Sequence, residues 1–212
     1  MEAKVTNAFA IPIYEVEYEN FADIQQSLID NIPFENKNEE CHEHPVTGEL
    51  YNVSDKSKGV NSQPIYTDLL KWCEIHAKKY WETLGFTELL EPHILSSWIG
   101  IQSKGGKCIS HNHNPHPIGG VFYLKATSEQ GDLVLENPLD LLIGRHPLSS
   151  YNNTLPTRLK LIVKATSGKL VLFPGWMKHY SQGNNTNEKR YAMALNYGCR
   201  TDVVKAIDLE NT

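Results

Sequence analysis

The sequence predicts a mostly β fold with flanking helices, an antiparallel double-sheet jelly roll, and three observations point there. Two segments with helical apolar spacing fall within the first part of the chain. Eight short strand-like runs then crowd into the next hundred or so residues, and Gly- or Asn-rich turns separate several of them. Many short strands after a pair of helices fit two facing sheets with helices packed on one side.

The elements can be justified in order. Phe9 to Tyr18 alternates apolar and polar residues after Pro12, the period of a half-buried strand. Asn20 is placed to cap a helix whose Phe21, Ile24, Leu28 and Ile29 recur at helical spacing. From Glu35 to Gln63 the chain is polar and reads as a long loop, with a small hairpin around Thr47-Gly48. Pro64 opens a longer helix whose broad face carries Ile65, Leu69, Leu70, Trp72, Cys73, Ala77, Tyr80, Trp81 and Leu84. Gly85 stands at its C-terminal cap. The predicted strands are Ile94 to Gln102, Lys107 to His111, Ile118 to Lys125, Gly131 to Leu135, Arg158 to Lys164, Lys169 to Phe173, Met177 to Gln182 and Arg190 to Tyr197. Asn137 to Thr157 has no clear period and reads as an inserted loop. The expected organisation is one domain over 1–212, with an N-terminal strand and helices in 9–90 and a jelly-roll core in 94–198.

Composition narrows the function classes. With 40% hydrophobic and 21% charged residues, the chain has enough apolar material for a real core. A net charge of −5 gives no electrostatic case for nucleic acid or an anionic membrane. There is no run of eighteen apolar residues and no signal-peptide pattern at the start. Cys41, Cys73, Cys108 and Cys199 form no CxxC pair, so free thiols in a reducing, cytoplasmic setting are expected.

The chemistry-bearing pattern is His111-Asn112-His113, answered by His179 and then, eleven positions further on, by Arg190. On an extended strand, residues two apart point to one face, so His111 and His113 can aim at one point. His179 lies in another predicted strand that a jelly roll can bring alongside. Three neutral imidazoles suit Fe(II), Zn(II), Cu(II) or Ni(II), so the ligands alone do not select the metal. The usual non-haem iron set is two histidines and a carboxylate; here His113 stands where the carboxylate would be. Asp132 and Glu136 are alternative carboxylate candidates. Arg190 offers a planar fork suited to a carboxylate, and Tyr123 is a second candidate donor to it.

Several elements together resemble the 2-oxoglutarate/Fe(II)-dependent oxygenases. They are Ser97-Trp98-Ile99-Gly100, His111 to Pro115, Gly119 to Leu124, Phe173 to His179 and Arg190 to Asn196, in the family's order. The opening Phe9 to Tyr14 resembles that family's first strand as well. The resemblance implies a cupin-like double-stranded β-helix, iron ligation by His111, His113 and His179, and anchoring of 2-oxoglutarate by Arg190. It also implies an oxygenase that uses Fe(II), 2-oxoglutarate and O2, releases succinate and CO2, and hydroxylates a substrate the sequence does not identify. One departure is Ala192, where the family commonly has a serine that hydrogen-bonds the far carboxylate of the co-substrate.

Other readings stand beside this one: a cupin-like Zn or Ni enzyme acting as an isomerase or hydrolase, or a jelly-roll binding module without catalysis. His116 reads as a loop residue near the mouth. Cys41-His42-Glu43-His44 reads as solvated loop, and His76 and His93 as structural. Trp98 and Trp176 read as core or barrel-wall residues, and Asn196 either reaches a ligand or makes a local hydrogen bond. One of the two long loops, 35–63 or 137–157, is expected to form part of a substrate pocket. The sequence leaves the substrate and the oligomeric state open.

Overall fold

The structure, a computed structural model, describes residues 10–32, 46–47, 51–53, 60, 63–87, 89–139 and 158–199. In chain order these contain β1 (Tyr14–Glu17), α1 (Ala22–Asp30), β2 (Val46–Thr47), β3 (Tyr51–Val53) and a 3-10 turn (Pro64–Tyr66) leading into α2 (Thr67–Thr83). Then follow β4 (His93–Gln102), β5 (Lys107–Cys108), β6 (Ile118–Lys125), a 3-10 turn (Ser128–Gln130), β7 (Leu133–Glu136), β8 (Lys160–Val163), β9 (Lys169–Pro174), β10 (His179–Ser181) and β11 (Arg190–Gly198). A six-stranded sheet has the order β1-β9-β6-β11-β4-β3, and a three-stranded sheet the order β10-β7-β8; β2 and β5 pair separately. Every pairing is antiparallel, as the jelly-roll expectation requires.

Strand periodicity divides the core in two. Along β6, β9 and β11, Ile118, Phe122, Leu124, Leu170, Leu172, Met193, Leu195 and Tyr197 face one cluster, where Leu69, Leu70, Cys73, Ala77, Tyr80 and Trp81 of α2 meet them. The alternate residues, Tyr123, Val171 and Phe173, face a second cluster with Leu133, Leu135 and Val163 of the smaller sheet. The helices therefore cover one face of the large sheet with apolar side chains. The other face looks into the space between the sheets, and β11 presents Arg190, Ala192, Ala194 and Asn196 to it.

The ends of the helices show how sequence and structure agree and differ. α2 closes in a Schellman motif: Phe86 N donates to Trp81 O (3.3 Å), Gly85 N to Glu82 O (3.0 Å), and Gly85 has φ +78°. The accompanying apolar contact is the stack of Phe86 on Trp81, with centroids 4.1 Å apart. At α1 the expected side-chain cap is replaced. Phe21 occupies the cap position with no side-chain hydrogen bond, and Asn20 adopts φ +55° while its carbonyl accepts from Asp23 N. Asparagine tolerates that left-handed conformation, so it turns the chain into the helix through its backbone.

Among the described residues, the two arms of the hairpin expected around Thr47-Gly48 pair elsewhere: β2 with β5 and β3 with the edge of β4. Most of the two long loops, the Cys41 to His44 cluster included, lies outside the described residues.

Tyr66 ties these layers together. Its ring is fully buried and its hydroxyl donates to Leu28 O at 2.5 Å, joining the start of α2 to α1. Tyr66→Phe would leave that carbonyl unsatisfied, at a cost of about 1–3 kcal/mol. We expect the thermal midpoint to fall by several degrees in a calorimetric scan; an unchanged midpoint would show that the hydroxyl contributes nothing.

Candidate metal centre

His111, His113 and His179 come together at one end of the space between the sheets. Their candidate ligand atoms all lie within 4.8 Å of one another, and His113 Nε2 is 3.1 Å from His179 Nε2. His113 and His179 are buried, and His111 is half-buried. The pair does not converge in the predicted way. His111 sits in an isolated bridge to His179, with His111 N donating to His179 O (3.0 Å) and His179 N to His111 O (2.9 Å). His113 lies beyond any strand and is fixed by its own N–H to Gly175 O (2.7 Å). The predicted strand from Lys107 is regular only over Lys107–Cys108, and a bend at Ser110 separates it from the isolated bridge at His111. Two backbone anchors do what strand alternation was expected to do.

Each imidazole is held by its other nitrogen. His111 Nδ1 meets Ile109 O at 2.8 Å, His179 Nδ1 meets Met177 O at 2.9 Å, and His113 Nδ1 meets Asn196 Oδ1. A carbonyl oxygen can only accept, so each neutral ring carries its proton on Nδ1 and keeps the Nε2 lone pair. Two lone pairs facing each other at 3.1 Å repel unless a cation lies between them. Two nitrogens bound at about 2.1 Å and at right angles on one ion would be ~3.0 Å apart, close to the observed separation. Burial, together with the neighbouring His111 and His113, lowers the pKa of His179 to about 3, so it is neutral and able to donate a lone pair at pH 7. The donor set therefore fits a single divalent cation.

Glycines and aromatics shape the rest. A Cβ on Gly119 would come within 2.8 Å of the Phe173 ring and 3.2 Å of His113 Cγ, and one on Gly175 within 1.8 Å of His116 O. Glycine at these two places lets the histidine loop lie down on β6. Phe173 is buried against both His179 (centroids 4.5 Å apart) and His113 (5.8 Å), and Trp98 stacks on His113 at 6.3 Å. Trp98 thus lines the site as expected. Trp176 does not: it is 45% exposed and takes no part in the wall, because the turn after Pro174 swings it outward.

The space below the histidines is a cavity of about 80 Å³, several times the ~10–15 Å³ that one water needs on the same measure. Arg190 and Tyr123 line it. Arg190 is 4% exposed, yet among the described residues no carboxylate lies within ion-pair distance of it. Its Nη1 donates to Gln102 Oε1 at 2.5 Å, and its guanidinium carbon lies 5.3 Å from the Tyr123 ring centre. Arg190 Nε and Tyr123 Oη are both buried without a hydrogen-bond partner. Burial raises the pKa of Tyr123, with the guanidinium opposing in part, so the phenol keeps its proton. A buried cation without a counter-charge is costly, and the unused donors beside it point the same way: this end of the cavity fits an anion.

The remaining candidates are placed elsewhere. Asp132 is committed to Lys164 Nζ and Ala165 N, both at 2.9 Å, and Glu136 accepts from Ser110 Oγ at 2.6 Å; neither is in the histidine cluster. The two alternative carboxylate candidates are thus not brought together with the histidines. His116 is a loop residue whose N–H returns to His113 O, and His76 bonds the Tyr14 hydroxyl at 2.8 Å, far from the cavity. Asn196, left open by the sequence, orients His113 and donates to Ser96 Oγ. Gln102 and Ser181 were missed, although the alternation Trp98, Gly100, Gln102 along β4 carried the signal that a glutamine would face inward.

Residues 96–196, which include His111, His113, His179, Arg190 and Tyr123, match the family model described as "Putative 2OG-Fe(II) oxygenase". That segment is similar to the 2OG-Fe(II) oxygenases. Solved structures agree on the double-stranded β-helix fold. The epimerase SnoN from nogalamycin biosynthesis, in complex with Fe3+, alpha ketoglutarate and nogalamycin RO, has a TM-score of 0.60 at 12% identity, covering 90% of this chain and 80% of its own. A Pseudomonas putida prolyl-4-hydroxylase has a TM-score of 0.56 at 11% identity, covering 90% and 94%. HygX from Streptomyces hygroscopicus, with nickel and 2-oxoglutarate bound, has a TM-score of 0.55 at 11% identity, covering 90% and 84%. A search of curated protein sequences returns no match. No helix among the described residues is long and apolar enough to cross a membrane.

The histidine cluster has a pH signature of its own. His179 titrates near 3 in the folded protein and near 6.5 when unfolded, so between those values the unfolded chain binds the extra proton. Metal-free protein should therefore lose stability as pH falls from about 6.5 toward 3, by an amount on the order of a few kcal/mol from this residue. Chemical denaturation across that range should show the slope in the native chain and a flatter one in His179→Gln. Equal slopes would mean that His179 is not held neutral by its surroundings.

Proposed function

We propose that this protein is an Fe(II)- and 2-oxoglutarate-dependent oxygenase that hydroxylates its substrate. The observation that carries the reading is the pairing, in one cavity, of three inward Nε2 lone pairs with a buried, uncompensated arginine. In this reading His111, His113 and His179 hold the iron, and Arg190 with Tyr123 holds the far carboxylate of 2-oxoglutarate. When bound, the iron, 2-oxoglutarate and O2 supply the oxidising chemistry, and the co-substrate leaves as succinate and CO2.

The chain's own contribution is orientation and exclusion of water. Ile109 O, Met177 O and Asn196 Oδ1 keep the imidazole protons on Nδ1, away from the metal side. Phe173 and Trp98 pack against the rings and keep the ligand side apolar. Arg190 Nε–H and the Tyr123 hydroxyl supply donors that a carboxylate would saturate. Three histidines carry one negative charge fewer than the usual set with a carboxylate, so more positive charge stays on the iron. The N-terminal strand and helices belong, on this reading, to the same domain as the barrel, since α2 forms one wall of its core.

Adding Fe(II) and 2-oxoglutarate without oxygen should produce a weak visible absorption band, and admitting air should produce succinate. His179→Ala should lose metal stoichiometry, and Arg190→Leu should weaken 2-oxoglutarate binding by a hundredfold or so while metal binding survives. Metal-loaded protein that gives neither band nor succinate would overturn the proposal. Metal-dependent activity that ignores Arg190→Leu would favour the cupin-like metalloenzyme instead.

A further inference from the structure

The hydrogen bonds leading away from Arg190 have a polarity that can be assigned without locating any hydrogen. A guanidinium only donates, so the Gln102 atom facing Arg190 Nη1 is the carbonyl Oε1. The other end of that amide, Nε2, only donates, and it lies 3.2 Å from Ser181 Oγ. Ser181 Oγ must accept there. It accepts a second time from Cys108 N–H at 2.8 Å, since a backbone N–H also only donates. A serine hydroxyl has two lone pairs and one proton. Both lone pairs of Ser181 are used, which leaves its proton as the group it can offer to a further partner.

Ser181 is 5% exposed and lines the same cavity as Arg190, Tyr123 and Gln102. It is two residues beyond His179 on β10, and the two residues share the inner face of the smaller sheet. Its position also bears on the departure at Ala192. That residue lines the cavity on β11, opposite Gly100 and Tyr123, and has no hydroxyl to offer.

We infer that the Ser181 hydroxyl is a third donor to the far carboxylate of the co-substrate, taking over from β10 the hydrogen bond that Ala192 cannot make from β11. This rests on the 2-oxoglutarate reading above. With Arg190 Nε–H, the Tyr123 hydroxyl and the Ser181 proton, that end of the cavity offers three unused donors. Such a lining selects a carboxylate over a neutral group of the same size, because each donor left unmet in a dry site is penalised. Gln102 is the positioning residue: it orients Arg190 and Ser181 at once.

The test is binding rather than turnover. Calorimetric titration of the Ni(II)-loaded full chain, without Fe(II), is run with 2-oxoglutarate and with 2-oxopentanoate, which has the same carbon chain and keto acid but a methyl in place of the far carboxylate. Ser181→Ala should weaken 2-oxoglutarate about tenfold, leave 2-oxopentanoate within twofold of the native value, and leave Ni(II) affinity unchanged. The inference is overturned if Ser181→Ala binds 2-oxoglutarate like the native chain while Arg190→Leu does not, or if both keto acids weaken equally. If the native chain fails to prefer 2-oxoglutarate and Arg190→Leu changes nothing, the co-substrate reading itself fails and the Ser181 assignment falls with it.

Discussion

The site depends on three hydrogen bonds that do not touch the metal position at all. Ile109 O, Met177 O and Asn196 Oδ1 each accept from an imidazole Nδ1, and so decide which nitrogen of each ring can bind a cation. Two of the acceptors are backbone carbonyls two residues before the histidine they hold. The arrangement is therefore partly local: a bend in the chain supplies both the ligand and the group that sets its tautomer. His113 differs in taking its acceptor from β11, which links the histidine loop to the strand that also carries Arg190.

The two faces of the large sheet have opposite tasks. The outer face is sealed by α2 with aromatic and aliphatic side chains, and burial of that apolar area stabilises the fold. That leaves the inner face free to carry groups that fold poorly by themselves: a buried cation, orphaned donors and lone pairs held 3.1 Å apart. Each is unfavourable in the empty site, and a metal ion with an anionic ligand relieves all of them together. Ligand binding should then stabilise the fold by mass action, through groups that oppose folding when the site is empty.

Much of this was legible in the sequence where it followed from local pattern. Arg190 and Tyr123, singled out for their donor chemistry, do line the cavity, and helix spacing with Gly85 located α2 to within a few residues. The convergence of His111 and His113 was anticipated, but for a different cause, since a single bridge and a loop anchor replaced a regular strand. What sequence could not show was pairing across long separations. Gln102 meets Arg190 across 88 residues and Ser181 across 79, and nothing local marks either contact. The same applies to β2 and β3, whose partners are strands elsewhere in the fold and not each other. Gly119 and Gly175 were readable as turn or strand residues, whereas the side chains that require their lack of a Cβ appear only after folding.

The protein holds its buried imidazoles as Nδ1–H tautomers with Nε2 turned inward before any metal binds. Nitrogen-15 NMR of histidine-labelled, metal-free protein near pH 7 reads this directly through the one-bond and two-bond couplings of each ring. His113 and His179 should both give the Nδ1-protonated pattern, and added Zn(II) should shift Nε2 while Nδ1 keeps its proton. A metal-free protein in which either ring carries its proton on Nε2 would contradict the account.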